Sequence, residues 1–166
     1  RLIRLASALV GWITGGLTHV MILASAFFAA LSGSAPATCA AIGGMMIPEM
    51  KKKGFPAEFS AAVQCVAGTI GPIIPPSIPM VVYAICAGES VGALFAGGII
   101  PGLIYAACLM VVSGLICKKK GFGAESKTKY DGHETWEAFK DAIWALLVPV
   151  IVLGGIYSGV FTPTEA

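Results

Sequence analysis

The chain is short of charge. Of its 166 residues, 12% are Asp, Glu, Lys or Arg, where a soluble domain carries about 25%. The shortfall is concentrated. No charged residue occurs in 5–48, 59–88, 90–117 or 142–164. Apolar residues make up 57% of the chain and the mean hydropathy is +0.85. Such a chain cannot solvate itself. Each uncharged run exceeds the ~20 residues that a spanning helix needs. A soluble globular domain is excluded, and an integral membrane protein in contact with the lipid bilayer is expected.

Other absences narrow the function. The five cysteines (Cys39, Cys65, Cys86, Cys108, Cys117) all lie in apolar runs and form no C-x-x-C or Cys/His cluster. They read as small buried hydrophobes, not as metal ligands. Basic residues come as short triplets, Lys51, Lys52, Lys53 and Lys118, Lys119, Lys120, with no interleaved aromatics. No nucleic-acid partner is expected from that pattern. Under the positive-inside rule these triplets, with Arg1 and Arg4, mark cytoplasmic ends. Glu49, Glu58 and Glu89 lie at segment ends and read as interfacial carboxylates. An intramembrane serine nucleophile would pair Ser34 with His19 or His133. No Gly-x-Ser-Gly accompanies it, so no enzyme is expected.

What is present is turn chemistry in the wrong place. "LSGSAP", residues 31–36, sits in the middle of the longest uncharged run. Cutting the run there leaves two arms of about 15 residues, roughly 22 Å each, which fall short of the ~30 Å hydrocarbon core. Residues 17–48 are therefore expected to form a re-entrant hairpin. A second break lies in "GTIGPIIPPSIPMVVY", where Pro72, Pro75, Pro76 and Pro79 crowd one stretch. One proline kinks a helix, and four this close end it. Residues 59–88 are expected to be a broken transmembrane helix. A first half would end near Gly71, an extended stretch would run through Pro76, and a second half would start near Ser77.

The remaining segments are simpler. Residues 1–16 are expected to be an interfacial arm helix. Residues 90–117 form a transmembrane helix kinked near Gly97, Gly98, Pro101 and Gly102. Residues 118–133 form a cytoplasmic loop. Residues 134–145 form an amphipathic helix lying on the membrane, and 146–161 cross it. Thr162, Pro163 and Glu165 carry a helix-start signature, so 162–166 would begin a further helix. With Arg1 in place of Met, that suggests an incomplete polypeptide.

The two breaks share one grammar. Each has a glycine (Gly33, Gly71) suited to close a helix in the left-handed conformation. Each then has Ser-x-Pro, which suits an N-cap and a first turn. Unpaired backbone inside a membrane costs several kcal/mol per group unless protein, water or a ligand satisfies it. Carbonyls near Ser32 and Gly71 suit a small cation such as Na⁺. N–H groups near Ser34 and Ser77 suit a carboxylate. The hydroxyls of Ser32, Ser34, Thr38, Thr69 and Ser77 can serve either. A close-packing patch is the competing account of either break alone.

The stretches "GGLTHVMILASAFFAALSGSAPATCAAIGGMMIPEM", "GTIGPIIPPSIPMVVYA", "LFAGGIIPGLIYAACLMV" and "GVFTPTEA" resemble the large membrane subunit of TRAP transporters, the DctM-like permeases. The resemblance runs along most of the chain and implies most of the first of two inverted repeats. It implies an all-α integral membrane fold: an elevator-type secondary transporter with a re-entrant hairpin and a broken transmembrane helix. It implies Na⁺-coupled symport of a small carboxylate across the bacterial inner membrane, with no cofactor beyond the coupling ion. The implied partners are a periplasmic substrate-binding protein, a small membrane subunit and the remainder of the permease. By resemblance, Na⁺ would be held by Ser32, Gly33, Ser34, Gly71, Pro72 and Pro75. Substrate would meet Ser34, Ala35, Pro36, Thr38, Pro76 and Ser77. Many relatives carry Asp where Thr38 stands, so a charged ligand is not expected there, and SGSAPAT looks like the dicarboxylate-type branch. Another elevator-type anion symporter, or a channel-like helical bundle, is the alternative.

Overall fold

The structure, a computed structural model, describes residues 2–13, 15–123 and 132–160. Among them are seven helices and no strand: α1 Leu2–Val10, α2 Gly16–Ser32, α3 Ala35–Lys52, α4 Ala57–Gly68, α5 Ile78–Ala87, α6 Val91–Lys120 and α7 Gly132–Tyr157.

The hairpin is α2 and α3. Its arms are 17 and 18 residues long, or about 26 Å each at 1.5 Å per residue. Its lower end lies beyond the expected Pro48. Pro48 sits inside α3, which runs on to Lys52. A proline ring in a helix crowds the carbonyl of the residue four positions earlier. That residue is Gly44, which has open space around it.

Helix α4 lies against both arms of the hairpin. One core joins α2 and α3 through Val20, Met21, Ala24, Ile42, Met46 and Met50, closed by Phe55 and by Cys117 of α6. A second core joins α2, α4 and α6 through Ile22, Ala29, Ala67, Ile70 and Ala106. The hairpin is thus held along its length by α4 and α6.

Helix α1 packs on α2 and α7. Its Arg4 reaches Asp141 at 2.9 Å and Glu137 at 3.6 Å. The sequence suggests an interfacial helix over 134–145 and a separate crossing helix over 146–161. Instead α7 is continuous from Gly132 to Tyr157. No glycine falls between His133 and Leu153, and Pro149 is accommodated inside the helix. Likewise Lys118, Lys119 and Lys120 belong to the last turn of α6, not to a loop. Residues 124–131 of the expected cytoplasmic loop, and the expected helix start at 162–166, lie outside the described residues.

Two helices among the described residues are long and apolar enough to cross a membrane: Val91–Lys120 and, within α7, Thr135–Tyr157. Their outer faces are exposed and apolar, with Ile100, Leu103, Ile104, Val111, Val150 and Ile151 among the exposed side chains. Such a surface suits lipid, not water.

Candidate functional site

The two breaks meet. At the first, Gly33 closes α2 with φ 57°, in the left-handed region, and its N–H bonds Ala29 O at 2.8 Å. Ser34 is extended (φ −133°, ψ 123°), and its hydroxyl accepts the Ala37 N–H at 3.5 Å. At the second break, Ser77 takes nearly the same angles (φ −126°, ψ 121°) and accepts the Met80 N–H at 3.4 Å. The repeated Ser-x-Pro thus builds the same N-cap twice.

The glycines do not play the same part. Gly71 was expected to end its helix in the left-handed conformation, but it has no positive φ. Helix α4 ends three residues earlier and tapers. Thr69, Ile70 and Gly71 donate to the carbonyls of Val66, Ala67 and Gly68. Those bonds satisfy the last carbonyls, so no left-handed cap is needed. The chain then bends, with Ile73 and Ile74 both donating to Ile70 O, where an extended stretch was expected.

Gly71 is instead a contact point. A Cβ there would lie 2.9 Å from the carbonyl carbon of Ser34 and 3.1 Å from Ala35 N. The converse holds at Gly33, whose Cβ would lie 2.6 Å from Pro76 O and 3.1 Å from Ile78 N. Ile78 N–H donates to Gly33 O at 3.4 Å. Each break therefore presses bare backbone against the other through a glycine. Helix α6 does the same from the far side. Cβ atoms at Gly98 and Gly102 would meet Ile73 O at 2.6 Å and Ile74 Cγ1 at 2.5 Å. These glycines admit the break to α6, the small-residue packing common between membrane helices.

The site's electrostatics come from backbone. Helices α2 and α4 end here and α3 and α5 begin, so carbonyl-rich and N–H-rich ends converge. No charged side chain occurs in either broken segment. Among the described residues no hydrogen bond reaches the carbonyls of Ala30, Leu31 or Ser32. These three residues line a cleft of about 270 Å³ with Pro76, Ser77 and Ile78. Phe95 of α6 and Val148, Val152 and Ile156 of α7 wall its other side. Free carbonyls at a helix C-terminus suit a small cation. The N–H supply is smaller than expected. Ile78 and Met80 are already bonded at the start of α5, and Pro79 has no N–H. At the start of α3, Ala35 N–H has no partner among the described residues.

Not every expected ligand reaches the cleft. Ser32, Pro76 and Ser77 line it; Ser34, Ala35, Pro36 and Thr38 do not. Pro36 is exposed on the outside of the tip. Pro75 is fully buried, and Pro72 O accepts the Ser77 hydroxyl at 2.8 Å. Thr38 braces the tip from behind. It is fully buried, donates to Ser34 O at 2.8 Å and lies 3.3 Å from Ser32 Oγ. Thr69 bonds Tyr105 of α6 at 2.8 Å.

Gln64 was not among the expected site residues. It is buried on α4, with Nε2 donating to Thr38 O at 3.3 Å and Oε1 accepting from Ser25 at 3.4 Å. One amide ties both arms of the hairpin to the broken helix. The signal lay in the sequence: it is the one amide side chain in 59–88, and a polar group at membrane depth asks for a partner. The serine-hydrolase arrangement finds no support. His19 bonds Gly15 O at 3.2 Å, and the 13 residues to Ser32 span about 20 Å of α2. His133 lies on α7 beside Glu137. Among the described residues no cluster of His, Cys, Asp and Glu could hold a metal ion.

The chain matches known proteins over its whole length. The model of the family described as "Tripartite ATP-independent periplasmic transporter, DctM component" matches residues 1–166. The C4-dicarboxylate TRAP transporter large permease protein DctM of Vibrio cholerae is 48% identical over all of this chain and 36% of its own length. The isethionate TRAP transporter permease protein DctMQ of Oleidesulfovibrio alaskensis is 50% identical over all of this chain and 26% of its own length. The sialic acid TRAP transporter large permease protein SiaM of Vibrio cholerae is 43% identical, over all of this chain and 38% of its own length. The chain thus spans about a third of the length of the curated relatives it matches. Two broken segments joined at bare backbone, with a family match from end to end, identify the chain as a member of the DctM family of TRAP transporter large permeases.

Proposed function

We propose that this chain carries ion and substrate ligands of a Na⁺-coupled symporter that imports a small organic anion, delivered by a periplasmic binding protein. The permease works in the bacterial inner membrane beside a small membrane subunit. Its hairpin and broken helix move together as an elevator, with 17–48 re-entering from the cytoplasmic side. Na⁺ is held by backbone at Ser32, Gly33 and Ser34, opposite Gly71, Pro72 and Pro75. The substrate anion shares the cleft with that Na⁺, which stands between it and the free carbonyls, and lies against the Ser32 hydroxyl, Pro76 and Ser77 at the start of α5.

One observation carries this proposal: the glycine-to-backbone contact of the two breaks beside three unbonded carbonyls, with no charged side chain in either segment. Polar backbone without a partner is costly away from water, so a ligand that satisfies these half-buried carbonyls stabilises the arrangement. The names of relatives add support, for C4-dicarboxylate, isethionate and sialic acid are all organic anions. The fused DctMQ relative supports a small-subunit partner.

The test is uptake into proteoliposomes holding the complete permease and small subunit, with the binding protein outside. Uptake should need an inward Na⁺ gradient and should vanish when K⁺ replaces Na⁺. Ser34→Ala and Pro76→Ala should each raise the Na⁺ requirement about fivefold. Uptake that is indifferent to Na⁺ would refute the coupling, and unchanged Na⁺ dependence in both variants would refute the site.

A further inference from the structure

A second cleft lies away from the two breaks, on the outer face between α4 and α6. Phe59, Ala62, Val63 and Val66 line one side, and Leu109, Val112, Ser113 and Ile116 the other, with Ile22 of α2 as the floor. Both rows fall at i, i+3, i+4 and i+7, so each is one stripe of its helix. Helix α4 runs in from the basic triplet at 51–53 and α6 runs out towards that at 118–120. The rows are therefore antiparallel. They do not close on each other: Val66 and Val112 are 41% and 53% exposed. The space between them is about 220 Å³. Its sole side-chain hydroxyl, on Ser113, is turned back to Met110 O at 3.1 Å. The cleft offers a ligand nothing but hydrocarbon.

One end of this cleft is charged. Phe59, at its mouth, packs on Phe122 with ring centroids 5.4 Å apart. Lys120 Nζ lies over the Phe122 ring at 5.9 Å from its centroid. Phe122 is fixed in turn by its N–H bond to Cys117 O at 3.0 Å, beyond the left-handed cap at Gly121. The aromatic pair thus carries an ammonium to the mouth of an apolar groove, with Lys118 and Lys119 exposed beside it. A helix from another protein segment would fill the groove and leave the cation unanswered. A free anion would meet the cation and leave the groove open. Only an amphiphile with an acyl tail and an anionic head answers both.

We propose that the α4–α6 groove is a binding site for an anionic glycerophospholipid, with an acyl chain between the two stripes and the phosphate at Lys120. Bulk lipid is as apolar as the groove, so the tail sets position and the charge sets preference. One lysine near an anionic headgroup corresponds to roughly a fivefold preference over a zwitterionic lipid of the same chain length. The proposal depends on membrane insertion and not on the ion or substrate assigned above.

The test uses the complete permease, purified in mild detergent with equal amounts of dioleoyl phosphatidylglycerol and dioleoyl phosphatidylethanolamine, and native mass spectrometry of the retained lipid. The wild type should retain phosphatidylglycerol about fivefold over phosphatidylethanolamine. Lys120→Gln should bring that ratio to about one while total bound lipid stays. Ala62→Trp, which fills the groove from an exposed position, should abolish the retained lipid. Val112→Phe does the same from α6 and serves if the first variant does not fold. Retention that mirrors the bulk mixture in the wild type, or a ratio unmoved by Lys120→Gln, would overturn the proposal. So would an Ala62→Cys variant that cross-links in membranes to another protein segment, since protein would then fill the groove.

Discussion

A Cβ on Gly33 would lie 2.6 Å from the carbonyl oxygen of Pro76, closer than side-chain carbons approach backbone oxygens. The hairpin tip and the second break are therefore in backbone contact, and the contact admits glycine only. Gly33 is also held at φ 57°, where an L side chain costs roughly 1–2 kcal/mol. Gly33→Ala should lose stability by that amount and more, and should abolish uptake. Gly44→Ala is the control. It lies inside α3 with open space around it, and should be neutral or stabilising by up to about 1 kcal/mol. Thermal melts of the two variants in detergent, beside uptake, check both.

Gly71→Ala separates contact from backbone strain, since Gly71 has no positive φ. Its Cβ would push on Ser34 and Ala35 and shift the tip by a few tenths of an ångström. Misplacement of 1 Å at a site costs on the order of 10², so a smaller shift should raise the half-saturating Na⁺ about tenfold. The melt should fall as well, because the atoms met are backbone, but by less than for Gly33→Ala, which adds the cost of a positive φ. A melt collapse with normal Na⁺ affinity would show that the contact is structural only.

Gly68 and Cys39 offer a coupled pair. A Cβ at Gly68 collides with the Cys39 thiol. Gly68→Ala should therefore destabilise, and Cys39→Ala in the same chain should recover much of the loss. A double-mutant cycle should give a coupling of about 0.5–3 kcal/mol. Additive effects would mean that α3 and α4 do not hold this spacing in the membrane.

Gln64→Leu keeps much of the side-chain volume and removes the amide. Thr38 O and the Ser25 hydroxyl then lose their partner in a buried place. The cost of an unsatisfied buried group is about 1–3 kcal/mol. The variant should melt lower by that amount, with uptake reduced more than expression. Arg4→Ala is a useful contrast. Its pairs with Asp141 and Glu137 are half exposed, and such pairs contribute about 0.2–1 kcal/mol.

Much of this site could be read from residue order. Ser-Gly-Ser-x-Pro inside an uncharged run has few outcomes other than helix end, left-handed glycine and N-cap, and Gly33 and Ser34 adopt them. Gly71 shows where such reasoning stops. Glycine permits both a left-handed cap and a close approach, and only the neighbouring chain decides between them. The tapering bonds of 69–71 and the position of Ser34 are tertiary facts. The same holds for Gly98 and Gly102, which suggested a kink and whose contact with the second break was not legible. At 134–161 the amphipathic pattern suggested two elements. Polarity marks where a helix meets water, not where it ends, and nothing between Trp136 and Pro149 stops it. Gln64 was legible as a polar group in an apolar run. That it would join Ser25 to Thr38 required knowing which helices cross.

The central claim is that the joined breaks bind Na⁺ through the carbonyl side and substrate through the N-cap side. Steady-state uptake in proteoliposomes, with Na⁺ and substrate varied independently, separates the two. Ser32→Ala should raise the half-saturating Na⁺ about fivefold with a smaller change in substrate KM. Ser77→Ala should raise KM about fivefold with Na⁺ affinity nearly kept. If both variants shift Na⁺ and substrate equally, or neither shifts Na⁺, the assignment of the two sides is contradicted.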